Sequence, residues 1–236
     1  MYRSKMVDAA KGIAVICMII FHVVYFPRIC GYTEFNYNTP TMNMFAKTAQ
    51  IIFLTCVGIN IHLSKKKKQN KEKNIRRILK LGSLALLMSC WTYLVFGNNY
   101  VKFGILHCIT LVNLIFMYID EPMWIIFSVF CIVLLHNNFR GNFSSNIPKP
   151  FGFILGLNSA YSSIDHFPLI PWILYPSLGI VIARSSDSFL FANSTLFPQF
   201  LQTLGKHSLD IYMIHWVVLY LVFCILYPGV RHLNIN

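Results

Sequence analysis

The sequence predicts an all-α integral membrane protein, a bundle of about seven transmembrane helices joined by short loops. Three observations carry that expectation. Mean hydropathy is +0.57, with 56% hydrophobic and only 12% charged residues, against roughly 25% charged in soluble domains. Apolar runs recur along the whole chain, several of them long enough for the ~20 residues that cross a bilayer core. Finally, the 20 Lys and Arg, against 8 Asp and Glu, lie between those runs. The net charge of +12 therefore reports topology. It points to membrane lipid as the partner and away from nucleic acid.

Taken in order, the first run is Ala9–Phe26. Arg3 and Lys5 precede it as in a signal peptide, but no small-x-small cleavage site follows, so the helix is expected to be retained. The second, Ala46–Leu63, ends at a basic loop of Lys65, Lys66, Lys67, Lys68, Lys71, Lys73, Arg76 and Arg77, with Glu72 its one acid. Ile78–Phe96 and Phe103–Ile119 flank a tight turn at Gly97–Val101, and Met123–Leu135 is short. After a long loop, His136–Pro168, come Leu169–Ala183, a less hydrophobic stretch Phe189–Leu204, and Ile211–Tyr227. Seven such spans leave no room for a separate soluble domain, so residues 1–236 are expected to form one domain. No internal repeat appears, and the lysine run is the only low-complexity segment.

Positive loops stay cytoplasmic, which places the lysine loop and the N-terminus inside. The remaining loops alternate, with Arg184 and Lys206 inside, and Pro27–Phe45, the Gly97 turn, the long loop and the tail with Arg231 outside. The membrane expected from this is the plasma membrane.

Ionisable residues within spans are costly and usually functional. His22 follows Lys11 by eleven positions, which places both on one helix face about 16 Å apart along the axis. His22 is a candidate general base, having the one side chain that titrates near neutrality; the alternative is a buried imidazole bonded to a neighbouring helix. Asp8 and Lys11 form either an interfacial ion pair at i, i+3 or a contact to an anionic donor, with Asp8 holding the lysine. His107, Asp165, His166 and Trp172 are expected at the same outer side as His22, the raw material for acid/base catalysis. For His107, beside Gly104, site and helix packing are open alternatives. Asp165 is the lone acid of the long outer loop, and the aromatics near it also suit an interface belt. Ser208 and Asp210 read as caps of the last helix, and His215, a turn further in, as an interhelical bond or a substrate contact.

The seven cysteines, 17, 30, 56, 90, 108, 131 and 224, include no CxxC pair. They read as small buried hydrophobes, with neither a metal site nor a disulfide framework indicated.

Four segments, Val7-Asp8-Ala9-Ala10-Lys11-Gly12-Ile13-Ala14 through Phe21-His22, Lys102-Phe103-Gly104-Ile105-Leu106-His107, Asp165-His166-Phe167-Pro168-Leu169-Ile170-Pro171-Trp172, and Leu204-Gly205-Lys206-His207-Ser208-Leu209 through Tyr212-Met213-Ile214-His215, stand in an order and spacing that covers nearly the whole chain. This series resembles the heparan-α-glucosaminide N-acetyltransferase catalytic-domain family in a short microbial form. The resemblance implies a multi-pass transferase that takes acetyl from cytoplasmic acetyl-CoA and passes it to an acceptor across the membrane, a glucosamine amino group in the animal enzyme. The first helix also resembles that of broader membrane acyltransferases, in which an arginine precedes a histidine by the same eleven positions. Two departures stand out. Lys11 occupies a place where arginine is usual, which keeps the charge but removes bidentate phosphate binding. The animal enzyme's active histidine lies in the outer loop after the first helix, and residues 23–45 here contain no histidine.

The expected activity is acetyl transfer from acetyl-CoA to an amino-sugar or other small-molecule or glycan acceptor of the cell envelope, without a metal. His22, with His107 and Asp165, would act as base on the acceptor or carry the acetyl group briefly itself. Lys11 and the lysine loop would favour the anionic donor, with His166, Trp172 and His215 toward the acceptor. The competing class is a non-catalytic transporter or a lipid- or sugar-binding membrane protein, for which repeated halves and midplane polar groups would be expected. A homo-oligomer is compatible with either. Asn142-Phe143-Ser144 is a glycosylation sequon only in a eukaryotic host.

Overall fold

The computed structural model describes residues 4–29, 36–66, 71–138, 147–158, 161–185 and 197–226. Arg3, Cys30, Lys67, Lys68, the Asn142 sequon, residues 189–196 and Arg231 lie outside them. The described residues are helical apart from turns and one isolated bridge, Phe103 to His166.

Helix α1 (Lys5–Ile29) starts where the Ser4 hydroxyl accepts the Val7 N–H at 3.3 Å, an N-cap bond. Thr39 caps α2 (Pro40–Lys66) in the same way, through Met42 N–H at 3.2 Å, with Pro40 as first residue. Helix α2 ends on Lys65 and Lys66 and α3 (Lys71–Phe96) begins with Glu72 in its first turn; both charges suit the helix dipole. Gly97, at φ +55°, ends α3 and opens a 3-10 turn, Gly97–Asn99. Then come α4 (Ile105–Tyr118), α5 (Pro122–Asn138), α6 (Lys149–Leu155), α7 (Leu169–Trp172), α8 (Leu174–Ser185), α9 (Gln199–Lys206) and α10 (Ser208–Leu226).

Among the described residues three helices, α1, α2 and α3, are long and apolar enough to cross a membrane. Four further apolar segments, in α4, α5, α7–α8 and α10, are shorter. At 14 residues, α4 reaches about 21 Å, less than the ~30 Å hydrocarbon core. The chain is thus an all-helical integral membrane protein. The sixth apolar run is not one helix: Ile170 has extended geometry, φ −102° and ψ 125°, because a residue before proline is pushed out of the α region. The expected long loop also contains an element of its own, α6, opened by Pro148 and Pro150 and ended by Gly156 at φ +83°.

The described residues cluster into two compact units, Met1–Cys56 with Ser186–Asn236, and Val57–Ser185. In the first, α1 packs against α9 and α10. Gly12 lies against the Leu201 carbonyl and Gly205 against the Asp8 carbonyl, so close that neither position has space for a Cβ. Asp8, only 7% exposed, is enclosed there. Further along, Cys17, Met18 and Ala49 form a core with Phe45, Phe53, Ile211 and Tyr212 around it. In the second unit α3 packs on α4, α5 on α8, and α7 on both α4 and α5. Gly58 touches the Pro176 backbone, which fixes the end of α2 on α8.

One end of this second unit is tied by backbone bonds. Ile164 N–H donates to Asn99 O at 2.9 Å and Phe167 N–H to Phe103 O at 2.9 Å. Val101 N–H donates to the buried Thr92 hydroxyl at 3.1 Å and Lys102 N–H to the Ser163 hydroxyl at 3.2 Å. The Lys102 ammonium donates to Asn98 O and Ser162 O and lies 4.5 Å from the Tyr100 ring centre. At the other end Lys65, Asp120 and Arg184 meet.

Candidate active site

His22 and His215 come together in the first unit. Their ring centres are 4.8 Å apart at 76°, and Trp216 completes the group at 5.5 Å from His22. His22 Nδ1 is 2.8 Å from the Met18 carbonyl, four residues back on its own helix. His215 Nδ1 is 2.6 Å from Tyr212 O and 3.3 Å from Ile211 O. A carbonyl only accepts, so in each neutral ring Nδ1 carries the hydrogen and Nε2 is the basic lone-pair nitrogen. The His215 Nε2 is buried with no hydrogen-bond partner among the described residues. An orphaned buried acceptor of this kind is uncommon in native structures. Aromatic neighbours Phe21, Tyr25 and Tyr212 surround the pair.

His107 is held differently. Its Nδ1 accepts Gly104 N–H at 3.3 Å and its Nε2 lies 3.3 Å from the Ser89 hydroxyl. Ser89 spends its own hydrogen on Val101 O at 2.6 Å, so His107 Nε2 is the donor. Both ring nitrogens are therefore engaged, Nδ1 in capping the start of α4 and Nε2 in tying it to α3. Asp165 faces the same helix start: its carboxylate lies against Gly104, where a Cβ would come within 2.7 Å of Oδ2, and it accepts the Ile105 N–H. No hydrogen bond joins Asp165 to His107 among the described residues. His166 Nε2 donates to Phe153 O at 2.9 Å and its ring stacks on Phe153 at 3.9 Å. Trp172 packs between Phe167 and Tyr175.

Although Asp165 keeps some residue surface, its carboxyl end is enclosed, and burial pushes its pKa up to about 7, against the Ile105 hydrogen bond that pulls it down. A carboxyl raised from 3.8 holds its proton more tightly folded than unfolded. Its contribution to stability is complete below about pH 4 and is lost as pH rises through about 7. Asp165→Asn is expected to flatten that slope, seen as a melting temperature that falls between pH 4 and 7 in the wild type but less in the variant.

Asp8 and Lys11 stand at the α9 end of α1, away from His22 along the helix. Among the described residues no group of three or more His, Cys, Asp or Glu is placed to hold a metal ion.

The sequence profile of the family described as "Heparan-alpha-glucosaminide N-acetyltransferase, catalytic" matches residues 3–217. The chain belongs to that family. The match includes all four segments that carry the resemblance, from Asp8 to His215. No curated protein and no solved structure matches the chain. Membership in the heparan-α-glucosaminide N-acetyltransferase catalytic family makes this chain a membrane acetyltransferase in class. The pairing of His22 with His215 was not evident from sequence, because 193 positions separate them; the signal was two histidines each beside or near aromatics on apolar helices. Asp120 was also missed, though Asp120-Glu121 is an acidic pair at a helix junction.

Proposed function

We propose that this family member takes acetyl from acetyl-CoA on the cytoplasmic side and delivers it to an amino-sugar or other cell-envelope acceptor on the outer side of the plasma membrane, with His22 as the reacting imidazole. The 236 residues act as one transmembrane domain of seven spans. The observation that carries the reading is the anchoring of His22 Nδ1 by Met18 O, which leaves Nε2 as base. In the direct route Nε2 takes the acceptor's N–H or O–H proton, the acceptor forms a bond to the acetyl carbon, and the C–S bond breaks with release of the coenzyme A thiolate. If Nε2 attacks first, the same thiolate leaves and the acceptor then displaces imidazole. His215, with its buried Nε2 lone pair, helps hold the acceptor. Lys11, positioned by Asp8, and the lysine loop favour the anionic donor. His107 and Asp165 serve by fixing the start of α4, and His166 and Trp172 by shaping the loop before α7.

The test is transfer of labelled acetyl from acetyl-CoA to the full-length protein in detergent, with and without glucosamine. Label on protein or sugar is expected. No transfer together with no coenzyme A binding would overturn the reading in favour of a transporter or binding protein.

A further inference from the structure

Three helices of the second unit have short apolar stretches. Lys102 and Asp120 bracket α4, whose 14 residues reach about 21 Å. On α3 the uncharged stretch begins after the exposed Lys80 and runs from Leu81 to Phe96, about 24 Å. Helix α8 has 12 residues with Arg184 in its last turn, about 18 Å, and extended backbone at Ile170 cuts it off from a longer span. Exposed aromatic side chains mark the same two limits. Tyr118 and Trp124 flank Asp120 and Glu121 in the chain, and Tyr93 meets Tyr100 edge-on at 5.4 Å beside Lys102. Between these limits Leu86, Leu87 and Leu94 of α3, Phe127 and Phe130 of α5 and Leu178 of α8 are exposed.

Tyrosine and tryptophan of membrane proteins settle at the headgroup level, one belt at each interface. Along α4, from Ile105 to Tyr118, the two belts are about 20 Å apart, where an ordinary hydrocarbon core measures ~30 Å. Such a shortfall is met by snorkelling side chains, by self-association or by thinning of the bilayer. A lysine can snorkel. Asp120 and Glu121, whose side chains are more than half exposed, are too short to do so, and a carboxylate left at hydrocarbon depth is costly. Self-association would cover one side, whereas the exposed apolar side chains lie on three separate helices, α3, α5 and α8. We infer that the second unit lies in a locally thinned bilayer, its lipid-facing surface built for phospholipids with short acyl chains. Thinning brings Lys80, Asp120 and Glu121 to the headgroup layer on one side and Lys102 to it on the other. This lipid preference is independent of acetyl transfer and holds for a transporter as for an enzyme.

The experiment is tryptophan quenching of the full-length wild-type protein in phosphatidylcholine bilayers. A brominated phosphatidylcholine with chains of about 18 carbons, which form a core of ordinary thickness, serves as quencher. Monounsaturated phosphatidylcholines of about 14 to 22 carbons compete with it for the protein surface, a series that spans thin to thick bilayers. Trp91, Trp124 and Trp172 belong to the second unit, and Trp216, in the first, is buried, so the signal reports the second unit. Lipids of about 14 carbons are expected to displace the quencher two- to threefold better than those of about 18, with binding falling steadily toward 22. Equal binding across the series, or an optimum at about 18 carbons or longer, would overturn the inference. Sedimentation of the same samples identifies what relieves the mismatch in that event: dimers growing in the longer lipids would assign it to self-association, and a monomer throughout would assign it to snorkelling.

Discussion

Replacing His22 by alanine is expected to lower acetyl transfer by about a thousandfold, within the 10²–10⁴ range that a positioned acid/base group supplies. Among the described residues the side chain hydrogen-bonds to a carbonyl of its own helix, four residues back. Removing it loses ring contacts with His215 and Trp216 but no hydrogen bond between helices among the described residues, and the variant should insert and migrate in gel filtration as wild type does. His215→Ala should cost less, about tenfold, since His215 enters as a neighbour of the reacting ring. Single-turnover measurements with labelled acetyl-CoA read both. A His22→Ala protein that folds and keeps wild-type rates would refute the assignment of the reacting imidazole, and would leave His107 as a weak substitute because both of its nitrogens are already bonded.

The second large effect concerns stability. A methyl group at Gly205 would run into the Asp8 carbonyl, and one at Gly12 into that of Leu201. Backbone cannot yield as a flexible side chain does, so Gly205→Ala should cost about 3 kcal/mol, the upper part of the overpacking range. Gly82→Ala supplies the contrast. Its added carbon would meet Thr110 Cγ2 at 3.6 Å, an ordinary contact, and alanine is favoured over glycine in a helix by about 1 kcal/mol. Fluorescence-detected thermal melts in detergent should therefore move in opposite directions for the two variants. Equal melts would show that α1 and α9 do not approach as closely as described.

Helices α1 to α5 and α10 were legible in the sequence because uninterrupted apolar runs leave the backbone one economical way to satisfy its hydrogen bonds in lipid. The kink at Ile170 was signalled by Pro171, but hydropathy averages over it. Helix α6 was hidden inside a polar loop, although Pro148, Pro150 and Gly156 bracket it. In the second unit Lys65, Asp120 and Arg184 gather at one end and Val101, Gly104 and Asp165 at the other. What could not be read was which polar groups spend their lone pairs on the fold. His107 and His22 look alike as letters in an apolar helix; the Gly104 N–H at the helix start and Ser89, brought in from α3 with its hydrogen spent on Val101 O, tell them apart. The same holds for Asp165, a lone acid in sequence but a helix-start acceptor in space.

The tether around Lys102 has a consequence for anyone handling the protein. A serine protease must draw an extended stretch of several residues into its cleft, and exposed loop tips normally permit that. Here the residues on either side of Lys102 are bonded through Asn99, Val101 and Phe103 to partners on other segments, and the lysine's own ammonium is turned onto Asn98 and Ser162. Trypsin should therefore pass over this bond in the native protein while cutting it readily once the chain is unfolded, so that the peptide ending at Lys102 becomes a mass-spectrometric gauge of how much of a preparation is intact.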